Sequence, residues 1–261
     1  MHSLKDTTIV VTGAAGGIGH AIVRRLTEQG ARLVLTDKDA VRLSALNASL
    51  GNKHYQFAAD ISSCNGRVSL LSYCSGLMHP PQMLINVAGI NQFAKIADYS
   101  DDDIMRMVTI NLTSQIALCR DFISLLNTQP SAVIINVGSI LGSIGMPGYS
   151  VYCASKFGLR GFSEALNREL MDSRTRVRYF APRATQTALN NVRVNQMNKA
   201  LGNAMDSPEK VADALIAFIK KDIVSTYLGW PEKLFVRINS LLPALVDKSF
   251  RKQLPIIKRY L

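Results

Sequence analysis

Tyr152 and Lys156 are the residues of this chain best spaced for chemistry. They set a phenol and an ammonium four positions apart in Tyr149-Ser-Val-Tyr-Cys-Ala-Ser-Lys156, a stretch that reads as the start of a helix. Residues i and i+4 on a helix are neighbours. A nearby cation favours the phenolate, so Lys156 is expected to pull a phenol pKa that starts near about 10 toward neutrality, making Tyr152 a general acid or base. A solvated helix face could carry the same spacing, so the pair gains meaning only from its surroundings.

Those surroundings begin far upstream. Residues Thr8–Thr12 are a short apolar, β-branched run, followed by Gly13, Gly16, Gly17, Ile18 and Gly19 and then by His20-Ala-Ile-Val-Arg-Arg-Leu26, a helical pattern. In a strand, glycine turn and helix, the backbone can approach a pyrophosphate and the unpaired N–H groups of the helix N-terminus can hold it. Residues 32–36 read as a second strand ending in Asp37, 18 residues after Gly19, where a carboxylate can accept hydrogen bonds from both hydroxyls of an adenosine ribose. A carboxylate there repels a 2′-phosphate, so NAD is favoured over NADP, with Lys38 pulling the other way. The plain alternative for Asp37 is a helix N-cap, a task for which Asp39 is at least as good a candidate.

Further along, residues 55–58 read as a third strand, after which Asp60 and Ile61 can meet an adenine. The helix expected over 65–77 offers no chemistry, and His79-Pro-Pro breaks the chain before a fourth strand at 82–87. Asn86, Ala88 and Gly89 end that strand and suit a floor for a flat ring. Asp101-Asp-Asp103 gives an acidic first turn to a helix expected to run to about residue 127. Asn111 lies in its middle, where it either faces water or has a task. Residues 132–137 are nearly all β-branched and apolar, as suits a central parallel strand buried on both faces, and lead into Gly138-Ser139. Strands alternating with helices specify an α/β doubly wound parallel sheet, in which ligands sit at the carboxyl ends of the strands.

With Thr12-Gly-Ala-Ala-Gly-Gly-Ile-Gly19, Asn86-Val-Ala-Gly89, Ser139 and Tyr152-Cys-Ala-Ser-Lys156 present in order, residues 5–190 resemble the short-chain dehydrogenase/reductase family. The resemblance implies one Rossmann-like domain of about seven parallel strands and a catalytic tetrad of Asn111, Ser139, Tyr152 and Lys156. Asn111 would then position a water behind Lys156, and Pro182 and Thr187 would lie on the nicotinamide side of the cofactor. Two departures stand out. Pro182 is followed by Arg183 where the family commonly has glycine, a cation that either points to solvent or addresses an acidic substrate. Where many relatives finish with a glycine-rich strand, this chain runs Tyr227-Leu-Gly-Trp-Pro231 and then an apolar tail.

Composition narrows the remaining choices. At 48% hydrophobic and 19% charged, the 261 residues have the make-up of a globular protein able to bury a core in a single domain. The net charge of +11 suggests attraction to anions, but the basic residues are dispersed and the densest group, Arg174, Arg176, Arg178 and Arg183, surrounds a strand, so nucleic acid is not expected. Cys64, Cys74, Cys119 and Cys153 have neither metal-ligand nor disulfide spacing. With no leader pattern and no long apolar run, a cytoplasmic location is expected.

The expected activity is hydride exchange between NAD(H) and an alcohol, ketone or aldehyde, in a homodimer or homotetramer. Residues 185–206, mixing apolar side chains with asparagines, read as a lid. The extension at 231–261 carries Leu234, Phe235, Ile238, Leu241, Leu242, Leu245 and Val246 at helical spacing, interrupted by Pro243 and followed by basic residues. It is expected to pack against the body or a second subunit, with a substrate flap and peripheral contact with an anionic membrane as alternatives. A nucleotide-sugar epimerase or dehydratase, and a non-catalytic NAD-binding scaffold, are the rival functions.

Overall fold

The structure, a computed structural model, describes residues 4–261; Met1 to Ser3, which open the stretch examined above for a leader, lie outside them. Seven strands form one sheet: β1 (Thr8–Thr12), β2 (Arg32–Asp37), β3 (Tyr55–Ala58), β4 (Met83–Asn86), β5 (Ala132–Val137), β6 (Thr175–Ala181) and β7 (Ser225–Tyr227). Their order is β3-β2-β1-β4-β5-β6-β7, and every pairing is parallel. Strand alternation divides β1 between two cores: Ile9 and Val11 join one cluster and Val10 the other.

Helices cover both faces. On one lie α1 (Gly17–Glu28), α2 (Ala40–Ser49) and α8 (Pro208–Ile219), and on the other α3 (Cys64–Ser75), α5 (Ser114–Asn127) and α6 (Ser150–Glu169). The strand order reverses between β2 and β4 on either side of β1, which opens the crevice that doubly wound sheets use for ligands. Arg178, from the basic group around β6, is buried and donates to the carbonyls of Phe218, Ile219 and Lys221, closing the C-terminus of α8.

One expectation needs correction. The helix expected over 101–127 is α4 (Asp101–Val108) and α5 joined by a π-helical turn, Thr109–Thr113. The wider turn faces Asn111 inward, and it is fully buried. The tail is two helices, α9 (Glu232–Leu241) and α10 (Pro243–Lys258), because Pro243 cannot continue α9 and instead starts α10. Val236 and Val246 pack on Ile140 and Ile144, and Ile257 packs with Tyr149, Cys153 and Met197. At about 2 kcal/mol for each buried aliphatic side chain, these three anchors fasten the tail to the body.

Candidate active site

A cleft of about 630 Å³ runs along the carboxyl ends of the central strands. Its first half is built on the turn after β1. Gly13 has φ +65°, and a Cβ there would lie 2.7 Å from the Ala88 backbone; no other residue type fits without moving β4's end. Thr12 Oγ1 accepts from Val87 N (3.1 Å) and Ala88 N (3.3 Å), and Gln115 Nε2 donates to Ala88 O (2.8 Å), so the floor is fixed from both sides. Gly16 caps α1 without a side-chain hydrogen bond and no acid occupies the first helical turn. The N–H groups at this end are therefore free to meet an anion.

Asp37 lines the same half and accepts from Ala15 N and Asp39 N, both at 3.2 Å. The N-cap of α2 is Asp39, which accepts from Arg42 N, so Asp37 is not needed for that task. Asp60 accepts from the Ser62 hydroxyl and amide, which hold its carboxyl below the ordinary range. Ile18, Ile61, Ala88, Gly89, Pro182 and Thr187 also line the cleft. These glycines, uncapped amides and acid are the groups a dinucleotide requires.

Asn86 is the exception. Its fully buried side chain donates to Asn136 Oδ1 at 2.9 Å and to Cys119 Sγ, and Asn136 in turn donates to Ser163 Oγ. Strand alternation turns Asn86 into this polar core behind β4 and away from the cleft.

Ser139, Tyr152 and Lys156 line the middle of the cleft. Tyr152 and Lys156 share the first turns of α6, with Nζ 5.9 Å from the phenol ring's centre. Lys156 is 4% exposed and donates to Val137 O at 3.1 Å. Burial pushes the Tyr152 phenol up to about 12, opposed by a side-chain hydrogen bond with Ser139, and pushes the Lys156 ammonium down to about 8. Desolvation thus outweighs the Ser139 hydrogen bond and holds the phenol above its ordinary range, opposite in direction to the expected pull toward neutrality.

Asn111 stands behind this group without lining the cleft. Its amide donates to Ile90 O (2.9 Å) and Ser155 Oγ (3.2 Å), and its Oδ1 accepts from Ile90 N (2.8 Å). A Cβ on Gly89 would lie 3.3 Å from Asn111 Oδ1 and 3.7 Å from Lys156 Nζ, so the two share the space behind Gly89.

Sequence reasoning missed Tyr179. Its buried hydroxyl lies between Ser139 N (3.3 Å) and Ser139 O (3.2 Å), while Gly138 and Gly142 leave no room for a Cβ beside it. It fixes the backbone from which Ser139 reaches Tyr152. A tyrosine inside an apolar strand carries no signal of such a task.

Arg183 neither points to solvent nor awaits an acidic substrate. Its guanidinium makes a bidentate pair with Asp206, both bonds 2.8 Å, and reaches Glu232 at 3.2 Å, tying the loop after β6 to the lid's end and to α9. Asp206 is 4% exposed and also meets Lys210. Burial resists its ionisation, but the hydrogen bonds from Arg183 and Lys210 hold the carboxyl below its ordinary range. Removing Arg183 takes away both bidentate bonds and leaves the buried Asp206 with Lys210 alone, so Arg183→Met is expected to cost about 2 kcal/mol. Calorimetry checks this, and a melting temperature unchanged from wild type would contradict it.

The cleft's other half is walled by Ile144, Met146 and Tyr149 from the body, Leu189 from the lid, and Phe235 and Phe250 from the tail. The lid itself contains α7 (Val192–Ala200), with Val194 and Met197 buried. The tail thus packs on the body and roofs the cleft at once. Among the described residues there is no cluster of potential metal ligands.

The family model "short chain dehydrogenase" matches residues 7–198. A nodulation protein G from Rhizobium sp. (strain N33) is 33% identical over 189 residues, 72% of this chain and 77% of that protein. A 3-oxoacyl-[acyl-carrier-protein] reductase from Bos taurus is 28% identical over 226 residues, 85% and 95% of the two chains. The fold is similar to that of a short chain dehydrogenase/reductase from Burkholderia phymatum in complex with NAD, with TM-score 0.85, 20% identity, and 94% of this chain and 96% of the other covered. A short chain dehydrogenase from Burkholderia cenocepacia J2315 in complex with NADP aligns at TM-score 0.82 and 20% identity, covering 95% and 98%.

Proposed function

The chain belongs to the short-chain dehydrogenase/reductase family of oxidoreductases, and on that premise we propose that it reduces an uncharged, apolar ketone or aldehyde, with Tyr152 as proton donor. One observation carries the reading. Ser139, Tyr152 and Lys156 meet where the glycine-lined half of the cleft joins its apolar half. Any carbonyl bound there has a donor at its oxygen.

In this reading the backbone of Gly13, Gly16, Gly17, Ile18 and Gly19 holds the pyrophosphate and Asp37 the adenosine ribose. Asp60 and Ile61 would meet the adenine, and Ala88, Gly89, Pro182 and Thr187 would hold the nicotinamide half, with Tyr152 and Lys156 available to its ribose. The nicotinamide cofactor supplies the hydride. Ser139 donates to the carbonyl oxygen and stabilises the charge that develops on it. Tyr152 transfers its proton to that oxygen. Lys156, held by Val137 O, supplies positive charge behind the phenol, while Asn111 fixes the Gly89–Ile90 backbone.

NAD(H) is the proposed cofactor, on the strength of Asp37. Titrating the protein with NADH and NADPH, then following oxidation of each against a panel of ketones, tests both parts of the proposal. Loss of charged-acceptor hydrogen bonds is worth about 1.5–3 kcal/mol. Asp37→Ala is therefore expected to weaken NADH binding at least about tenfold and to narrow the gap to NADPH. A wild-type protein that prefers NADPH would remove Asp37 from the ribose.

A further inference from the structure

We propose that the outer face of α9 and α10 seats on an anionic lipid bilayer, from which a neutral, lipophilic carbonyl compound enters the cleft. The substrate part rests on the reductase reading above; the surface itself does not.

Val236, Val246 and Ile257 anchor the tail, with Ile238 and Phe250 partly buried beside them, but several of its other apolar side chains are left uncovered. Leu241 is 79% exposed and Leu242 57%, at the corner between the two helices, and Trp230 just before α9 is 70% exposed. Leu234 is exposed as well. Phe235 and Leu245 are exposed and also line the cleft, as does Leu189 across from them on the lid. These three mark where the apolar half of the cleft opens, so its mouth and the exposed corner form one region.

Charge identifies what covers it. On α9, Leu234, Arg237 and Leu241 follow an i, i+3, i+7 spacing, and on α10 so do Leu245, Lys248 and Lys252; each helix presents apolar and basic residues together. Lys233, Arg237, Lys248, Arg251 and Lys252 are all exposed. From residue 231 onward seven Lys/Arg face two acids, and one of those, Glu232, is engaged by Arg183. Leucines that enter the acyl boundary while long basic side chains reach headgroup phosphates are the pattern of an interfacial helix. A second copy is the poorer occupant. A two-fold interface would bring the same basic residues against each other, in a chain whose net charge is already +11.

The test is vesicle co-sedimentation of the full chain, with neither cofactor nor carbonyl compound added. Vesicles of phosphatidylcholine alone are compared with vesicles that also contain phosphatidylglycerol, at low and high salt. Binding is expected only to the anionic vesicles and is expected to weaken as salt screens it. Each Lys or Arg near such a surface is worth roughly a fivefold change in affinity, so the Lys248→Glu/Lys252→Glu double variant should bind at least about 25-fold more weakly. Leu241→Asn/Leu242→Asn should lose about tenfold or more through its apolar contacts. All four positions are exposed and none lines the cleft, so melting temperature and turnover of a short, water-soluble ketone should stay at wild-type values. Turnover of a long-chain ketone carried in the vesicles should fall with binding. Equal binding to both vesicle types, absence of binding, or variants that bind like wild type would overturn the proposal. So would a dimer that Leu241→Asn/Leu242→Asn converts to monomer, since that assigns the face to a second copy. A protein that binds anionic vesicles but reduces no ketone would keep the surface and refute the reductase reading instead.

Discussion

Tyr152→Phe is expected to lower turnover by at least about a hundredfold, the lower end of what general acid catalysis contributes, while binding of the reduced cofactor persists. The substitution removes only the hydroxyl, and the ring's packing with Tyr149, at 6.0 Å between centres, remains. Ser139 loses one side-chain partner but keeps its bond from Leu141 N and its Tyr179 support. The defect should therefore lie in kcat, and cofactor fluorescence titration should be close to wild type. Near-normal turnover on a verified substrate would take the proton transfer away from Tyr152.

Lys156→Met should be as damaging to activity, yet harmless or favourable to stability. The ammonium falls from an ordinary 10.5 to about 8 on burial, which corresponds to about 3 kcal/mol of cost for keeping it charged. Losing the Val137 O bond gives back about 1 kcal/mol of that. The sign follows from which state holds more protons. Between about 8 and 10.5 the unfolded chain keeps a proton that the folded chain has released, so wild-type stability should rise as pH climbs through that window. Below about pH 8 the full cost is present, and there the methionine variant should melt at or above the wild-type temperature. The same ionisation should appear in catalysis, with kcat/KM for carbonyl reduction falling as pH rises through about 8. An active Lys156→Met variant, or a profile flat across that pH, would remove the ammonium from the chemistry.

How far the site was legible depended on where each residue gets its instructions. Gly13, Gly16, Gly17, Gly19, Asp37, Asp60, Ser139, Tyr152 and Lys156 sit at strand ends or first helical turns, where position along the chain dictates position in space, and all of them line the cleft. Asn86 also sits at a strand end, but the two-residue alternation of β4 decides which face it serves, and it serves the core. Asn111 depended on a π-helical turn that helix periodicity does not encode. Burial raises the Tyr152 pKa and lowers that of Lys156, an effect that no i, i+4 argument contains. The partners of Arg183 are not legible along the chain because Asp206 and Glu232 lie 23 and 49 residues away. Pro243, by contrast, divided the tail as its missing N–H requires, and only the packing of Val236, Val246 and Ile257 could show which surface the tail covers.

The most direct test of the reductase account follows the hydride itself. The protein is incubated with NADH or NADPH deuterated at the transferring position and with a series of apolar ketones, and the alcohols are examined by mass spectrometry and NMR. The account expects deuterium on the carbinol carbon, NADH as the better donor, and no labelled product from Tyr152→Phe. A protein that binds the reduced cofactor but leaves the label unmoved across the whole series would contradict it.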